Sequence, residues 1–342
     1  MTLQSSGTIR WSEIRDEFGA NIGGTGVSLG RYRNSDSNFS NKNVGTLTDL
    51  PLDTGVPRSG TISASSFYSK KLNVVVDLFS QANNTTRQNI RGRWNSNEVR
   101  VVGGYRSRPS SGANVRVIAN INKTIGSQTG SNHTCAVRTG YWESFTTLEL
   151  EVGNDGRIYG AGGNGGDGGS AGNGGGQNGT VGTSALGIEY PCSLNNLGRI
   201  QSGYGGGGGG SGRQEYRRSG KKGGRWVGSS GGGGGGGAGF PTSTGGDSPS
   251  NAFGGGSNGS DGANGSNEAS GGGGAGGASA GAGGAGGAVN NSSTAGSNGA
   301  AGGPAGGTGG NNGYAIVTLE NSLPSISGNA VIGRTITSTS PD

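Results

Sequence analysis

Glycine is concentrated in one stretch of this sequence, and that concentration limits the possible folds more than any other feature. Of the 342 residues, 83 are Gly, and 65 of these lie among the 161 residues from 153 to 313. Ordering such a stretch costs roughly 1–2 kcal/mol per residue, and little apolar surface is present to offset that cost. The stretch therefore either stays a flexible linker or pairs nearly all of its backbone groups.

A local period of three favours the paired arrangement. Gly162-Gly-Asn, Gly165-Gly-Asp and Gly168-Gly-Ser step in threes, which matches the three residues per turn of an extended left-handed helix. One such helix has no internal hydrogen bonds, but several helices packed side by side can bond to one another, as in polyglycine II. Only Gly allows backbones to approach so closely. We predict a polyglycine II helix bundle of stacked left-handed helices, with a flexible Gly/Ser linker as the alternative.

The sequence on either side of this stretch has the composition of ordinary helices and strands. Ile9–Phe18 is amphipathic and predicts a short helix with Ser12 as its N-cap and Gly19 at its end. Segments that are β-branched or alternate in polarity predict strands of a small antiparallel β domain, so the fold is mainly β. The expected units are an attachment region (1–71), the β domain (72–158), the glycine-rich domain with exposed loops (159–313) and a closing strand with further chain (314–342).

A repeated phrase suggests how the β domain meets the glycine-rich stretch. Gly-Arg-Ile occurs at 156–158 and again at 198–200, each time preceded by Asn and followed by a glycine run. This repeat predicts that a strand continues into a glycine helix twice. The β domain would then serve as the base on which the glycine helices stack.

The residue types for catalysis or metal binding are scarce. The chain has one His and two Cys, so no His-based metal cluster is available, and we expect no enzyme activity, no cofactor and no metal. Cys135 and Cys192 can form at most one disulfide, and two thiols are favoured. No apolar run is long enough to cross a membrane. The sequence pI near 9.5 favours anionic partners, but the lack of Arg-Gly-Gly repeats argues against nucleic acid.

Two interruptions of the glycine runs carry aromatic residues, and the first also carries most of the basic residues of the stretch. Exposed loops on a rigid scaffold commonly carry function, and Tyr, Trp and Arg are favoured in binding hot spots. The alternative is a solvated basic loop in which Trp226 packs on the glycine scaffold. The predicted receptor contacts are Arg213, Tyr216, Arg217, Arg218, Lys221, Lys222, Arg225, Trp226, Phe240 and Phe253.

Taken together, these phrases resemble the glycine-rich distal adhesins of tailed-phage long tail fibres, of the T-even type. The resemblance rests on the two Asn-x-Gly-Arg-Ile phrases, the glycine runs that follow them, and the segments Ile121–Ser127 and Thr139–Leu150. The opening Ser6–Gly19 and the phrase Val56–Ser63 also resemble a motif found near the N-termini of phage tail proteins. Together these motifs cover residues 1 to about 320.

The resemblance implies a virion tail protein, made in the host cytoplasm, that binds a bacterial surface receptor. Polyglycine II helices would hold variable loops at an exposed tip, and the receptor would be a protein or a polysaccharide. The other end would attach to other tail or fibre proteins without inserting into a membrane. The expected attachment residues are Trp11, Ile14, Phe18, Phe67 and Tyr68.

Two further possibilities follow from the same sequence. A structural tail-fibre or baseplate connector would share the scaffold without touching a receptor. An ice-binding protein would need a flat face of small residues, which the bulky basic insertion disfavours. Leu323–Thr337 is similar to the first strands of a bacterial Ig-like domain, which predicts either further polypeptide or pairing with a partner.

Overall fold

The structure is a computed structural model that describes residues 3–18, 56–57, 60–70, 73–77, 88–91, 99–101, 115–142, 144, 146–220, 223–288, 304–319, 322, 324–333 and 335–337. A helix α1 (Trp11–Phe18) and a short 3₁₀ helix (Ala64–Phe67) precede the strands. The strands are β1 (Asn73–Asp77), β2 (Gln88–Asn89), β3 (Val99–Val101), β4 (Val115–Ile121), β5 (Thr124–Gly126), β6 (Cys135–Arg138), β7 (Thr146–Val152), β8 (Arg157–Tyr159), β9 (Ser184–Ile188), β10 (Cys192–Asn196), β11 (Arg199–Gln201), β12 (Arg213–Arg218), β13 (Gly224–Ser229), β14 (Ile316–Thr318), β15 (Ser325–Gly328) and β16 (Thr335–Thr337). None of the helices in these ranges could span a membrane.

The predicted N-terminal helix forms, but it begins earlier than Ser12 would set it. Arg10 holds the N-cap position: its backbone N–H donates to a Glu13 carboxylate oxygen at 2.6 Å, and the Glu13 N–H donates to the Arg10 carbonyl at 3.0 Å. Glu13 therefore satisfies a backbone donor that has no partner within the helix. The Ser12 cap was the wrong choice because this acidic side chain reaches back from the first turn.

The β region is a parallel stack rather than the antiparallel domain that alternation suggested. One sheet has the order β15-β10-β7-β4-β1-β3, a second the order β11-β8-β5, and a third the order β16-β14-β9-β6-β2. Within these three sheets every pairing is parallel except that of β1 with β3. The antiparallel prediction was wrong because alternation of polar and apolar residues marks a strand with one buried face and does not encode the direction of the neighbouring strand.

Successive passes of the chain contribute one strand to each sheet. β4, β5 and β6 form one coil, β7, β8 and β9 the next, and β10, β11 and β14 the one after it. The result is a three-sided parallel β-solenoid. Its interior is filled by apolar side chains from all three sheets and from the N-terminal segment, among them Ile14, Phe67, Val117, Leu150, Ile158, Leu186, Leu194, Ile200 and Ile316.

The glycine-rich stretch is inserted at one corner of this solenoid. Residues 160–183 lie between β8 and β9, and residues 202–315 lie between β11 and β14. The two Gly-Arg-Ile phrases stack directly, because Ile158 pairs with Ile200 in register. The sequence repeat therefore marks equivalent positions in neighbouring coils, and in both coils the strand continues into a glycine segment.

The hydrogen-bond spacing changes from that of a sheet to a period of three where the strands end. Gly160 N–H donates to the Gln201 carbonyl at 2.9 Å, and the same pair of segments continues through Gly163 to Tyr204, Gly166 to Gly207 and Gly169 to Gly210. Each of these bonds is 2.8–2.9 Å long. The parallel register of β8 and β11 thus carries on into the glycine segments.

The glycine segments form a bonded lattice. The segment 230–239 exchanges backbone hydrogen bonds of 2.7–3.3 Å with six surrounding segments. Six neighbours around one extended segment is hexagonal packing, and it satisfies backbone groups that this buried stretch could not leave unpaired. One partner residue from each of the six segments is Gly166, Gly207, Gly246, Ala263, Gly271 and Gly284.

At the edge of the lattice, side-chain oxygens replace backbone carbonyls as hydrogen-bond acceptors. Asn164 and Asp167 accept from the N–H groups of Thr244 and Asp247 at 3.0 and 2.9 Å. On the other side of the same outer segment, the side-chain oxygens of three residues spaced by three accept from backbone N–H groups at 2.7–2.9 Å. Asn258 accepts from Ala252, Asp261 from Ser248 and Asn264 from Gly245. The third residue of the glycine triplets thus secures an outer segment.

The lattice has two ends with different surroundings. Its segments alternate in direction, so connections alternate between the solenoid end and the far end. We call the far end the tip. Among the described residues, 240–243 and 266–269 turn at the solenoid, whereas 170–174, 213–229, 251–256 and 278–280 turn at the tip.

Candidate functional site

A β-hairpin is the largest feature of the tip. β12 and β13 pair antiparallel from Arg213 opposite Ser229 to Arg218 opposite Gly224. The hairpin continues the two central lattice segments, 203–212 and 230–239, so its base is buried while its outer half is exposed. Side chains alternate between the two faces of such a ribbon, which gives it two chemically different faces.

One face carries a pair of aromatic residues. Tyr216 and Trp226 lie directly opposite each other, with ring centroids 5.3 Å apart in an edge-to-face arrangement. The Tyr216 side chain is 50% exposed and that of Trp226 is 55% exposed. Exposed large aromatic side chains held by such a contact are typical of binding hot spots.

The opposite face is basic. Arg217 and Arg225 face each other across the strands, a like-charge pairing that costs stability unless something compensates it. The Glu215 carboxylate forms an ion pair with Arg217 on the same strand, which offsets part of that repulsion. Arg213 lies on this face closer to the lattice, and Arg218 is exposed on the aromatic face.

Neighbouring connections brace the hairpin. Phe253 exchanges two backbone hydrogen bonds of 3.0 Å with Gly228, and its ring occupies the space where a side chain at 228 would stand. The Gln214 N–H donates to the Asn173 side-chain oxygen at 2.6 Å. The tip therefore behaves as one assembled surface in which 170–174 and 251–256 support the hairpin.

The structure brings most of the predicted receptor contacts together. Arg213, Tyr216, Arg217, Arg218, Arg225 and Trp226 share the hairpin, and Phe253 adjoins it. Lys221 and Lys222 lie outside the described residues. Phe240 does not join this group: it turns at the solenoid end, where it packs against Gly126 of β5. Phe240 therefore lies apart from the other predicted receptor contacts, because the segment before it runs from the tip back to the solenoid.

The predicted attachment residues have mixed surroundings. Ile14 and Phe67 are 1% and 0% exposed and belong to the core of the solenoid, and Tyr68 packs against that core. Trp11 is 38% exposed on helix α1. The side chain of Phe18 lies outside the described residues. Of the described side chains in this set, Trp11 is the one that presents a large exposed surface.

Sequence reasoning missed the residues that fix the hairpin in place. Asn173 has a positive φ of 65° and supports Gln214, while Asn251 accepts from the Ala171 N–H at 3.0 Å. The phrase Ala171-Gly-Asn-Gly174 is typical of a turn, since Asn tolerates this backbone conformation better than most residues. That signal could have identified the turn, but not the strand it supports.

The solenoid end of the lattice is held by a polar cluster. Glu268, in the turn 266–269, lies 2.8 Å from the Arg199 guanidinium and 3.4 Å from the Tyr159 hydroxyl. Burial raises the pKa of Tyr159, while the nearby Arg199 works in the opposite direction. In the part of the chain that the structure describes, no group of His, Cys, Asp or Glu is arranged to hold a metal ion.

Comparisons with known proteins give the chain a family. No curated protein sequence matches it. Among solved structures, a match is the crystal structure of the gp37-gp38 adhesin tip complex of the bacteriophage S16 long tail fiber, at 16% sequence identity and a TM-score of 0.32, covering 83% of this chain and 90% of that chain. The model of the phage tail fibre adhesin Gp38 family matches residues 81–340. The chain therefore belongs to the phage tail fibre adhesin Gp38 family.

Proposed function

We propose that this chain recognises a receptor on the bacterial surface through the hairpin at its tip. The observation that carries the proposal is the placement of exposed Tyr216 and Trp226 beside several arginines, at the end of the lattice farthest from the solenoid. As a tail fibre adhesin, the chain is a component of the phage tail. Loops held on a rigid scaffold are suited to binding because little order is lost when the partner arrives.

We infer that the glycine segments are polyglycine II helices. Backbone hydrogen bonds that recur every third residue match three residues per turn, and six neighbours around one segment match hexagonal packing of such helices. On this interpretation the lattice is a stiff arm. It keeps the hairpin at a fixed distance from the solenoid and holds the tip in an ordered conformation before the receptor binds.

The same proposal gives the other parts of the chain their roles. Residues 1–71 and the solenoid form the end that attaches to other tail or fibre proteins, with exposed Trp11 as a contact. Residues 72–158 begin the solenoid, 159–313 supply strands β9 to β11 together with the arm and its loops, and β14 to β16 within 314–342 close the stack. The strands of the solenoid pair across these boundaries, which supports a continuous link from attachment to tip.

Shortening the hairpin tests the proposal. Residues 216–226 are replaced by a two-residue Asn-Gly turn closed by the facing pair Glu215 and Val227, which keeps Gln214 opposite Gly228 and the bond to Asn173. We expect assembled particles whose adsorption rate to host cells falls at least tenfold. Tyr141→Ala, which removes a 61% exposed aromatic side chain from the solenoid, is the matched control.

The outcome also separates the adhesin from a structural connector. A connector uses the solenoid end and tolerates loss of the hairpin, so its particles would assemble and adsorb at the normal rate. Unchanged adsorption after the shortening would therefore overturn receptor binding at this site. Defective assembly of particles carrying Trp11→Ala would separately support attachment through α1.

A further inference from the structure

We infer that the aromatic face of the hairpin is a saccharide-binding platform on which the Trp226 indole stacks against a sugar ring. The inference rests on the proposed receptor role of the tip and names the class of receptor. It concerns one face only, formed by Gln214, Tyr216, Arg218, Trp226 and the adjoining Phe253.

Tyr216 holds the platform rather than forming its open surface. The backbone N–H of Gly224 donates to the Tyr216 hydroxyl at 2.9 Å, and a methyl group built on Gly224 would come within 2.6 Å of the Tyr216 ring. The tyrosine therefore lies over the end of the opposite strand. Its contact with Trp226 fixes the orientation of the indole, which is the more exposed of the two side chains.

Phe253 supports the same row from the lattice side. Its ring packs over Gly228, two residues from Trp226 on β13 and therefore on the same face. It remains 40% exposed. Phe253, Trp226 and Tyr216 thus form an aromatic strip along one face of the hairpin.

The surroundings of the strip match the chemistry of a sugar. A sugar ring presents C–H groups on its flat side, which suit the negative face of an aromatic ring, and hydroxyl groups around its rim. Gln214 and Arg218 flank Tyr216 on the same face and place amide and guanidinium groups beside the strip. A narrow open strip with hydrogen-bonding groups at its ends fits a sugar better than a protein hot spot, which packs into a desolvated pocket.

The test uses the full chain and cells of the strain on which the phage grows. Binding is measured after periodate treatment, which cleaves vicinal diols of surface sugars, and after protease treatment, which removes exposed protein. We expect periodate to abolish binding and protease to leave it. We also expect surface polysaccharide purified from these cells to quench Trp fluorescence in the wild type but not in Trp226→Ala, whose affinity falls at least tenfold.

Matched variants separate the two faces and the two aromatic roles. Arg217→Ala with Arg225→Ala alters only the basic face and should weaken binding less than Trp226→Ala does, whereas Tyr141→Ala should retain binding within about threefold. Tyr216→Phe keeps the ring and should bind nearly as well as the wild type. Tyr216→Ala should bind weakly and lose the near-ultraviolet circular dichroism that arises from the Tyr216–Trp226 contact.

The possible results are distinct from failure of the proposed function. Binding that survives periodate but not protease identifies a protein receptor and overturns the saccharide platform while leaving the hairpin as a receptor site. The platform is equally overturned when the paired arginine variant loses binding and Trp226→Ala does not. If neither variant nor the hairpin shortening changes binding, the receptor role of the tip itself is wrong.

Discussion

Gly234 lies against the carbonyl oxygen of Gly207 in the neighbouring segment so closely that a methyl group at position 234 would overlap it. This contact shows why the lattice needs glycine. Backbones that bond to six neighbours leave no room for a side chain between them. The demand for glycine is therefore steric, and it varies from one position to the next.

Gly234→Ala should destabilise the protein by several kcal/mol, because the added methyl meets backbone atoms that cannot move without breaking hydrogen bonds. Gly272→Ala is the control: no atom lies within 4 Å of its added methyl. The control should be neutral or stabilising by up to about 1 kcal/mol through the unfolded chain. Thermal unfolding of both variants checks the prediction, and equal melting temperatures would contradict it.

The side-chain bonds at the edge of the lattice predict a second difference. Asn264→Ala removes the acceptor for the Gly245 N–H, a bond of 2.9 Å, and should cost about 0.5–1.5 kcal/mol. Asn264→Asp keeps an acceptor oxygen and should be nearly neutral. Urea unfolding compares the two variants. A loss of the same size in both would show that the amide geometry, not the acceptor, matters there.

Two ion pairs in different surroundings predict different costs. Glu189, whose side chain is 1% exposed, pairs with Arg138 and accepts from the Gly140 N–H at 2.7 Å. Glu189→Gln should therefore destabilise the protein by about 1.5–3 kcal/mol, because it removes the buried negative charge that accepts from Arg138 and from the Gly140 N–H. Glu268→Gln, at a site that is 58% exposed, should cost less than about 1 kcal/mol. Equal losses in a chemical unfolding experiment would exclude this explanation.

Cys192 predicts a loss of stability at high pH. Burial raises the pKa of its thiol to about 12. A group whose pKa is raised on folding contributes stability fully below its unfolded pKa and loses it as the pH rises toward the folded value. The loss falls between pH 9 and 12 and is at most about 4 kcal/mol, at about 1.4 kcal/mol per pH unit. Cys192→Ala should flatten this part of the stability curve, and an unchanged slope would argue against the thiol as its source.

Several elements of the fold could be predicted because their signals are local. The strands around 73–77, 115–121 and 146–152 follow from alternation, and the helix at 11–18 follows from its apolar spacing. The stacking of the two Gly-Arg-Ile phrases follows from repetition. The two thiols are also as predicted, since Cys135 and Cys192 are buried without a disulfide.

The parallel solenoid could not be predicted from the same signals. Two of its coils are interrupted by insertions of very different length, 160–183 and 202–315, so the repeat of strand positions is hidden in the sequence. The position of Phe240 at the solenoid end could not be predicted for a related reason. Every interruption of glycine was expected at the tip, whereas alternating segment directions send every second connection back to the solenoid.

That alternation has an evolutionary consequence. A pair of glycine segments leaves the solenoid and returns to it, so a duplicated pair widens the arm and adds one surface loop without disturbing the coils below. Loops at the tip can thus be exchanged or multiplied while the folding unit beneath them stays the same.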